Sequence, residues 1–402
     1  MDGPYRARYV RTVITRLEIE NFKAIKKVAV DLTPLTVLVG PNDSGKSTLL
    51  QVLEMLARSV TMPLWAPDGE SVLDRPPEEV LFNRDVTRTA RITVSGRVPG
   101  AEDHLPAGSD EYVYSIAFAF SGGVFRFVDE LFHWNGKSQF THDFQKSSVA
   151  GFGSGPNHWD GRFTVFSTFF RSKADRPLAC LREELDSFLV TFDASRLRAP
   201  SAATDTLSSS GKGLSGTVDQ LLTAMDRAPL EAFENALRRI SPHVQGVATR
   251  PVNISLPGGS WTPGKEVWFS LRGTKKGFSA QEASTGLVLV AGYLALLHGT
   301  AHRRFLVEEP ETGVHPNAAL AVVDVLREMV AAGRQVITTT HSPIVLNYME
   351  PEDVQIVTRT AEAGVIVTPM IKSRFFDERI QKFDLGELWY SVGEDALVSP
   401  AS

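Results

Sequence analysis

The sequence has one cysteine, Cys180, in 402 residues. An intramolecular disulfide and a metal site built from cysteines are therefore excluded, and this usage fits a reducing cytosol. No stretch approaches the roughly 20 apolar residues that a helical membrane span requires. The longest apolar run, 287–297, is interrupted by Gly292. Residues 1–16 carry arginines and no apolar segment of signal-peptide length, so the chain reads as cytosolic, with no membrane partner. An excess of either charge is missing too. Lys and Arg number 42 against 47 Asp and Glu, a net charge of −5, which excludes a polybasic nucleic-acid coat. The basic pairs Lys26-Lys27, Arg238-Arg239, Lys275-Lys276 and Arg303-Arg304 leave room for a local DNA-binding patch. Repeats of solenoid length and heptads long enough for a coiled coil are absent.

What is present is the material of a globular protein. Hydrophobic residues at 43%, with 23 Phe, suffice for a large core divided among about two or three lobes. Val13–Phe22 reads as a strand, and Leu35–Val39, nearly all apolar, as a strand buried on both faces. A helix over 46–57 follows, with Leu49, Leu53 and Leu56 on one face. Alternation over 91–134 predicts antiparallel sheet, and the Gly/Ser/Asn/Pro-rich segment 149–161 predicts a surface loop. Helical patterns cover 178–189 and 218–240, separated by a Ser/Gly-rich segment, 206–216, expected to be mobile. A strand at 266–271 then opens an alternation: helix 283–297, strand 305–308, helix Pro316–Ala331, strand Gln335–Thr340. Such alternation implies a parallel sheet covered on both faces.

The segment Gly40-Pro41-Asn42-Asp43-Ser44-Gly45-Lys46-Ser47-Thr48 fits G-x-x-x-x-G-K-[ST]. Its glycines let backbone N–H groups close around phosphate oxygens at a helix N-terminus. Lys46 can reach β- and γ-phosphates, and the Ser47 hydroxyl can ligate Mg²⁺, so ATP and Mg²⁺ are the expected ligands. A glycine turn beside a solvated lysine would spell similar letters; the strand before and the helix after argue against it. The apolar strand 305–308 ends in Glu308 and Glu309. Glu308 is expected to hold Mg²⁺ through water, and Glu309 to act on the attacking water as general base or orienting group. His341, at the end of the next strand, is placed to donate to a γ-phosphate. Ser284 and Gly286, at a helix start, offer a hydroxyl and free N–H groups to an anion, in a position where a plain N-cap would look the same.

Three segments carry a family resemblance. Residues 15–25, containing Asn21, Phe22 and Lys23, resemble the opening strand of the SMC/RecF/OLD branch of ABC ATPases. Glu308-Glu309-Pro310-Glu311-Thr312-Gly313-Val314-His315-Pro316 resembles the E-E-P-E-x-x-L-H-P form of OLD-type ATPases. Residues 384–389, ending Leu385-Gly386-Glu387-Leu388-Trp389, are similar to the tail of stand-alone OLD-like ATPases of bacterial defence and toxin–antitoxin loci. The resemblance covers about 1–60 and 265–390. It implies an α/β fold: a P-loop ABC-type ATPase head with a mixed and antiparallel N-terminal sheet and an inserted, partly helical middle region. The expected division is 1–170, an N-lobe with P-loop and antiparallel sheet; 171–265, a largely helical insertion; and 266–402, a C-lobe. It further implies that Asn21, Phe22 and Lys23 serve the nucleotide, and that Ser284 and Gly286 serve ATP held by another subunit. Two heads would thus close over two ATP–Mg²⁺ in a homodimer or higher oligomer. Ser284-Thr285-Gly286-Leu287 lacks the Gln or Glu that often follows Ser-x-Gly, Glu308 stands where many relatives have Asp, and no glutamine loop is assignable. Full OLD proteins continue into a TOPRIM nuclease. Residues 342–402 are too few for one, so the resemblance implies a nuclease effector on a separate chain. A RecF-like clamp on duplex DNA is the alternative, and a transporter subunit fits the acidic segment less well.

Overall fold

Period-two alternation on the central strands divides the hydrophobic residues between two cores. Leu35, Val37 and Val39 face one core and Leu38 the other; Phe305 and Val307 face the first, Leu306 the second; Val336 and Ile337 divide the same way. These strands are buried on both faces, so each reads as a continuous apolar or β-branched run. The computed structural model describes residues 13–66, 70–73, 75–99, 109–143, 148–150, 161–169, 176–255, 259–274, 276–373 and 384–392.

In chain order the first part holds β1 (Val13–Phe22), β2 (Ile25–Asp31), β3 (Leu35–Val39), α1 (Lys46–Ser59), α2 (Pro77–Val80), β4 (Thr89–Pro99), β5 (Ser109–Ser121), β6 (Val124–Trp134), β7 (Lys137–Asp143), β8 (Ser148–Ala150) and α3 (Val165–Phe169). The middle holds α4 (Arg176–Leu185), β9 (Ser187–Val190), α5 (Ala194–Arg198), α6 (Leu214–Thr223), α7 (Ala228–Ile240), β10 (Val244–Ser255), β11 (Trp261–Leu271) and β12 (Gly277–Ser279). The last part holds α8 (Thr285–Gly299), β13 (Arg304–Val307), α9 (Pro316–Ala331), β14 (Gln335–Thr340), α10 (Pro343–Leu346), β15 (Val354–Thr360), β16 (Gly364–Pro369) and the tail helix α11 (Leu385–Val392).

One sheet of 13 strands runs β8-β7-β6-β5-β4-β1-β2-β16-β15-β3-β14-β13-β9. Its first part is antiparallel, as the alternation over 91–134 predicts. From β15 to β9 it is parallel, with Thr340 opposite Val39, Val307 opposite Thr338, and Val190 opposite Val307. The fold is therefore the expected mixed α/β head. α8 is apolar all round and buried from Leu287 to Leu297, as a helix enclosed by α5, α6, α7 and α9 must be.

Several local expectations are corrected. The helix expected over 178–189 stops at Leu185, and Ser187–Val190 becomes the edge strand β9, because β13 supplies a parallel partner that helical spacing cannot reveal. The helix expected over 218–240 is two helices. The Asp226 carboxylate accepts from Ala228 N (3.0 Å) and Pro229 follows in the first turn of α7, so the chain restarts there. Segment 206–216 is pinned rather than loose: Ser208 N–H donates to Lys212 O at 2.8 Å, and Thr191 N–H to Ser209 O at 2.9 Å. Its glycines serve close packing, since a Cβ on Gly213 would lie 2.1 Å from Thr206 O. The strand expected at 266–271 is longer and belongs to a separate antiparallel sheet, β10-β11-β12, which spans the 265/266 boundary. Most of the loop predicted at 149–161 lies outside the described residues.

Candidate functional site

The parallel topology gathers the chemistry at one edge. β3, β14 and β13 are adjacent, and their carboxyl ends lead respectively into Gly40, His341 and Glu308. Ligands of open parallel sheets sit at such carboxyl ends.

The loop after β3 depends on glycines at positions where a side chain has no room. A Cβ on Gly40 would lie 2.0 Å from Val357 O of β15. Gly45 caps α1 at φ 106°, a left-handed conformation natural to glycine, and Asp43 is also left-handed at φ 63°. Lys46 folds back over the loop, and its Nζ donates to Gly40 O (2.8 Å) and Pro41 O (2.7 Å). The ammonium thus closes the loop on itself through two backbone carbonyls. Ser47 is exposed, Thr48 half-buried, and the Ser44 hydroxyl oxygen is buried without a hydrogen-bond partner.

At the end of β13, Glu309 takes φ 40°, and its N–H donates to Thr339 Oγ1 (3.1 Å). That bond turns its carboxylate toward the next strand end, where Glu309 Oε1 lies 3.3 Å from His341 Nε2. Glu309 Oε2 accepts from Thr312 Oγ1 (3.1 Å). Glu308 Oε1 is buried and has no hydrogen-bond partner. Sequence reasoning gave Glu311 no settled role, yet its Oε1 accepts from Thr340 Oγ1 (2.6 Å) and His341 N (2.9 Å). Below it, Tyr293 is pushed above the usual phenol range, by burial first and by the Glu311 charge second.

A cleft of about 420 Å³ adjoins the loop, lined by Lys23, Pro41, Asn42, Phe82, Arg359 and Thr360 among others. Of the trio in the opening strand, only Lys23 reaches this cleft; its Nζ also donates to Gln51 Oε1 of α1 (2.6 Å). Asn21 instead donates to Thr89 O (3.0 Å) and accepts from Arg88 Nη1 (3.1 Å). Phe22 is 2% exposed and packs edge-on against Phe118, so its side chain belongs to the core. Their positions shape the turn at Lys23 without facing the cleft.

Ser284 and Gly286 are not among the residues lining that cleft. Ser284 is an exposed N-cap that accepts from Leu287 N (3.3 Å), and a Cβ on Gly286 would meet the Ala318 Cβ at 2.6 Å. The first turns of α8 and α9 therefore lie side by side. Arg198 reaches this end of α8, donating to Ala283 O (3.0 Å) and Thr285 Oγ1 (3.1 Å). Most members of the basic pairs are engaged: Lys27 with Glu20, Arg238 with Glu234, Arg239 with Glu328 and Arg303 with Glu183, while Arg304 is buried.

Residues 35–347 match the family described as AAA domain, putative AbiEii toxin, Type IV TA system. A stretch of 82 residues is 35% identical to the OLD nuclease of Thermus scotoductus, covering 20% of this chain and 14% of that protein. Two solved structures share the fold. An SmcHead bound to the C-winged helix domain of ScpA superposes with a TM-score of 0.51 and 15% identity, over 89% of this chain and 97% of that one. An Smc head domain with an extended coiled coil, bound to the C-terminal domain of ScpA derived from Pyrococcus furiosus, gives 0.51 and 14%, over 92% and 100%. At these identities the likeness is one of fold.

Proposed function

The chain belongs to the family of AAA domains that includes the putative AbiEii toxins of type IV toxin–antitoxin systems, and on that premise we propose that it binds ATP with Mg²⁺, hydrolyses it between two closed heads, and passes that closure to a separate nuclease effector in defence against phage. One observation carries the catalytic part: the ends of three adjacent parallel strands hold the phosphate loop, the His341 imidazole and the Glu309 carboxylate, the last two 3.3 Å apart.

Lys46 exchanges its carbonyl partners for β- and γ-phosphate oxygens, a charge-assisted bond stronger than the one it leaves. Glu309 takes a proton from the attacking water, or orients it, and His341 donates to the γ-phosphate from the neighbouring strand end. Ser47 and Glu308 would hold Mg²⁺; the partnerless Glu308 Oε1 and an all-oxygen donor set suit a hard cation. Mg²⁺ there would neutralise charge on the phosphates. The cleft with Lys23, Phe82 and Arg359 takes the base end of the nucleotide. Ser284, exposed at the start of the 15-residue α8 and away from the cleft, serves ATP on the opposite subunit. The short match to an OLD nuclease supports the nuclease context. The engaged basic pairs leave the DNA-clamp reading less to stand on.

The test is Mg²⁺-dependent phosphate release by the purified protein, with nucleotide affinity measured alongside by calorimetry. Turnover is expected in the native chain, with nucleotide binding nearly abolished in Lys46→Ala. Equal ATP affinity in the two would overturn the assignment.

A further inference from the structure

The tail motif around Gly386 has no part in the site just described, yet it is packed against the turn that carries His341. Gly386 N–H donates to Asn347 Oδ1 at 2.6 Å. A Cβ on Gly386 would lie 2.1 Å from Pro343 O and 2.6 Å from Asn347 Oδ1, so two backbones touch where no larger residue fits. Leu385 and Trp389, one helical turn apart, are 6% and 5% exposed and join Val345, Leu346 and Met349 in one core. The helix α10 on which they rest has four residues, begins two positions after His341, and is capped by Ser342 accepting from Val345 N (3.4 Å).

A single helical turn cannot hold itself in water, because nucleation costs more than one turn of hydrogen bonds returns. The position of α10 is therefore set by what packs on it, and α11 is one such support. We propose that Gly386, Asn347 and Trp389 are positioning residues for His341: the tail helix seats α10, α10 fixes the turn 341–342, and that turn holds the imidazole against Glu309. The inference rests on the role in hydrolysis given to His341 above. It assigns the tail a function in turnover and none in nucleotide capture, since the phosphate loop shares no hydrogen bond with α11 among the described contacts.

Gly386→Ala in the full chain tests it, with turnover, ATP affinity and unfolding midpoint measured together. ATP affinity should stay within about twofold of native and kcat should fall about tenfold or more, because displacements near 1 Å can cost that much. The decisive readout is the same substitution in a His341→Ala background. If Gly386 acts through His341, it should cause no further loss of kcat there. An equal fractional loss in both backgrounds would show a merely structural role and overturn the proposal, as would native kcat in Gly386→Ala. Should Gly386→Ala fail to fold, Asn347→Ala, which removes the hydrogen bond without adding an atom, takes its place in the cycle. Native kcat in His341→Ala alone would instead remove the role given to His341, a failure distinguishable from that of the tail.

Discussion

The carboxylate of Glu311 accepts the backbone N–H of His341 at 2.9 Å, and the same oxygen accepts the Thr340 hydroxyl at 2.6 Å. With the bond from Glu309 N to Thr339 Oγ1, it ties the acidic turn after β13 to the end of β14 at two points. The imidazole and the Glu309 carboxylate are thus held by a frame rather than by their own contact alone.

From that frame follows a prediction that separates support from chemistry. Glu311→Ala frees a backbone N–H and a hydroxyl that are otherwise paired, a loss of about 1–3 kcal/mol. Turnover should fall about 10-fold to 100-fold while ATP affinity holds. Glu311→Gln keeps an acceptor oxygen and should retain most of the activity. If the glutamine variant is as inactive as the alanine variant, Glu311 rather than Glu309 is the general base.

The sequence showed the site in pieces and not this frame. The phosphate loop, Glu308, Glu309 and His341 were legible because each stands at the end of an apolar or β-branched run, and such runs reveal buried parallel strands. Glu311 to His341, Lys23 to Gln51 and Gly386 to Asn347 join residues 28 to 39 apart with no periodic signature. The strand β9 was hidden for a related reason. Phe188 and Leu189 continue a helical spacing from α4, and only pairing with β13 decides for the strand. Composition misled at 206–216, where glycine allows close backbone contact at Gly213 and not freedom.

Arg304, at the start of β13, gives a stability prediction. It is 1% exposed, and its guanidinium donates to Gln335 Oε1 (2.7 Å) and Ser187 Oγ (3.1 Å), with Glu184 Oε2 at 3.9 Å. Gln335 in turn bonds both backbone groups of Ile14, so the network joins β1, β13, β14 and the β9 edge. Arg304→Leu removes the guanidinium that faces the buried Glu184 carboxylate and should destabilise by about 3–5 kcal/mol. Urea unfolding measures this, and Arg304→Leu combined with Glu184→Leu should recover part of the loss. A single variant within about 1 kcal/mol of native would show the pair to be dispensable.

Glu130 predicts a pH dependence. It is fully buried on β6, and burial raises its carboxyl to about 7, although the N–H groups of Phe166 and Val165 and the Tyr114 hydroxyl pull the other way. In the unfolded chain it titrates near 4.5. Between these values the folded protein holds a proton that the unfolded chain has released. This contribution is therefore fully present below about 4.5 and is lost as pH rises through about 7. The gap corresponds to about 3 kcal/mol. Glu130→Gln removes the titration, so its stability should decline less than native between pH 5 and pH 8. Parallel urea titrations that fall equally in both proteins would rule Glu130 out as the group responsible.

The remaining prediction tests whether the site is shared between subunits. Ser284 is exposed, caps α8 by accepting from Leu287 N, and stands two residues before Gly286, where the first turns of α8 and α9 meet. If it meets ATP held by an opposite head, Ser284→Arg should leave ATP binding by one subunit nearly intact. Losing the cap costs about 1 kcal/mol, too little to unfold the chain. Hydrolysis should still stop, because a long cationic side chain fills the gap where two heads close. Mixing this variant with Lys46→Ala protein should restore part of the turnover. In a mixed dimer one composite site collects both defects and the other neither, so about half the sites in mixed dimers work if subunits exchange freely. Strong coupling between the two sites would lower the recovery, which makes nucleotide binding by Ser284→Arg the firmer readout. Loss of ATP binding in a folded, monomeric Ser284→Arg protein would place the segment beside its own phosphate loop, and the head-to-tail dimer would have to be abandoned.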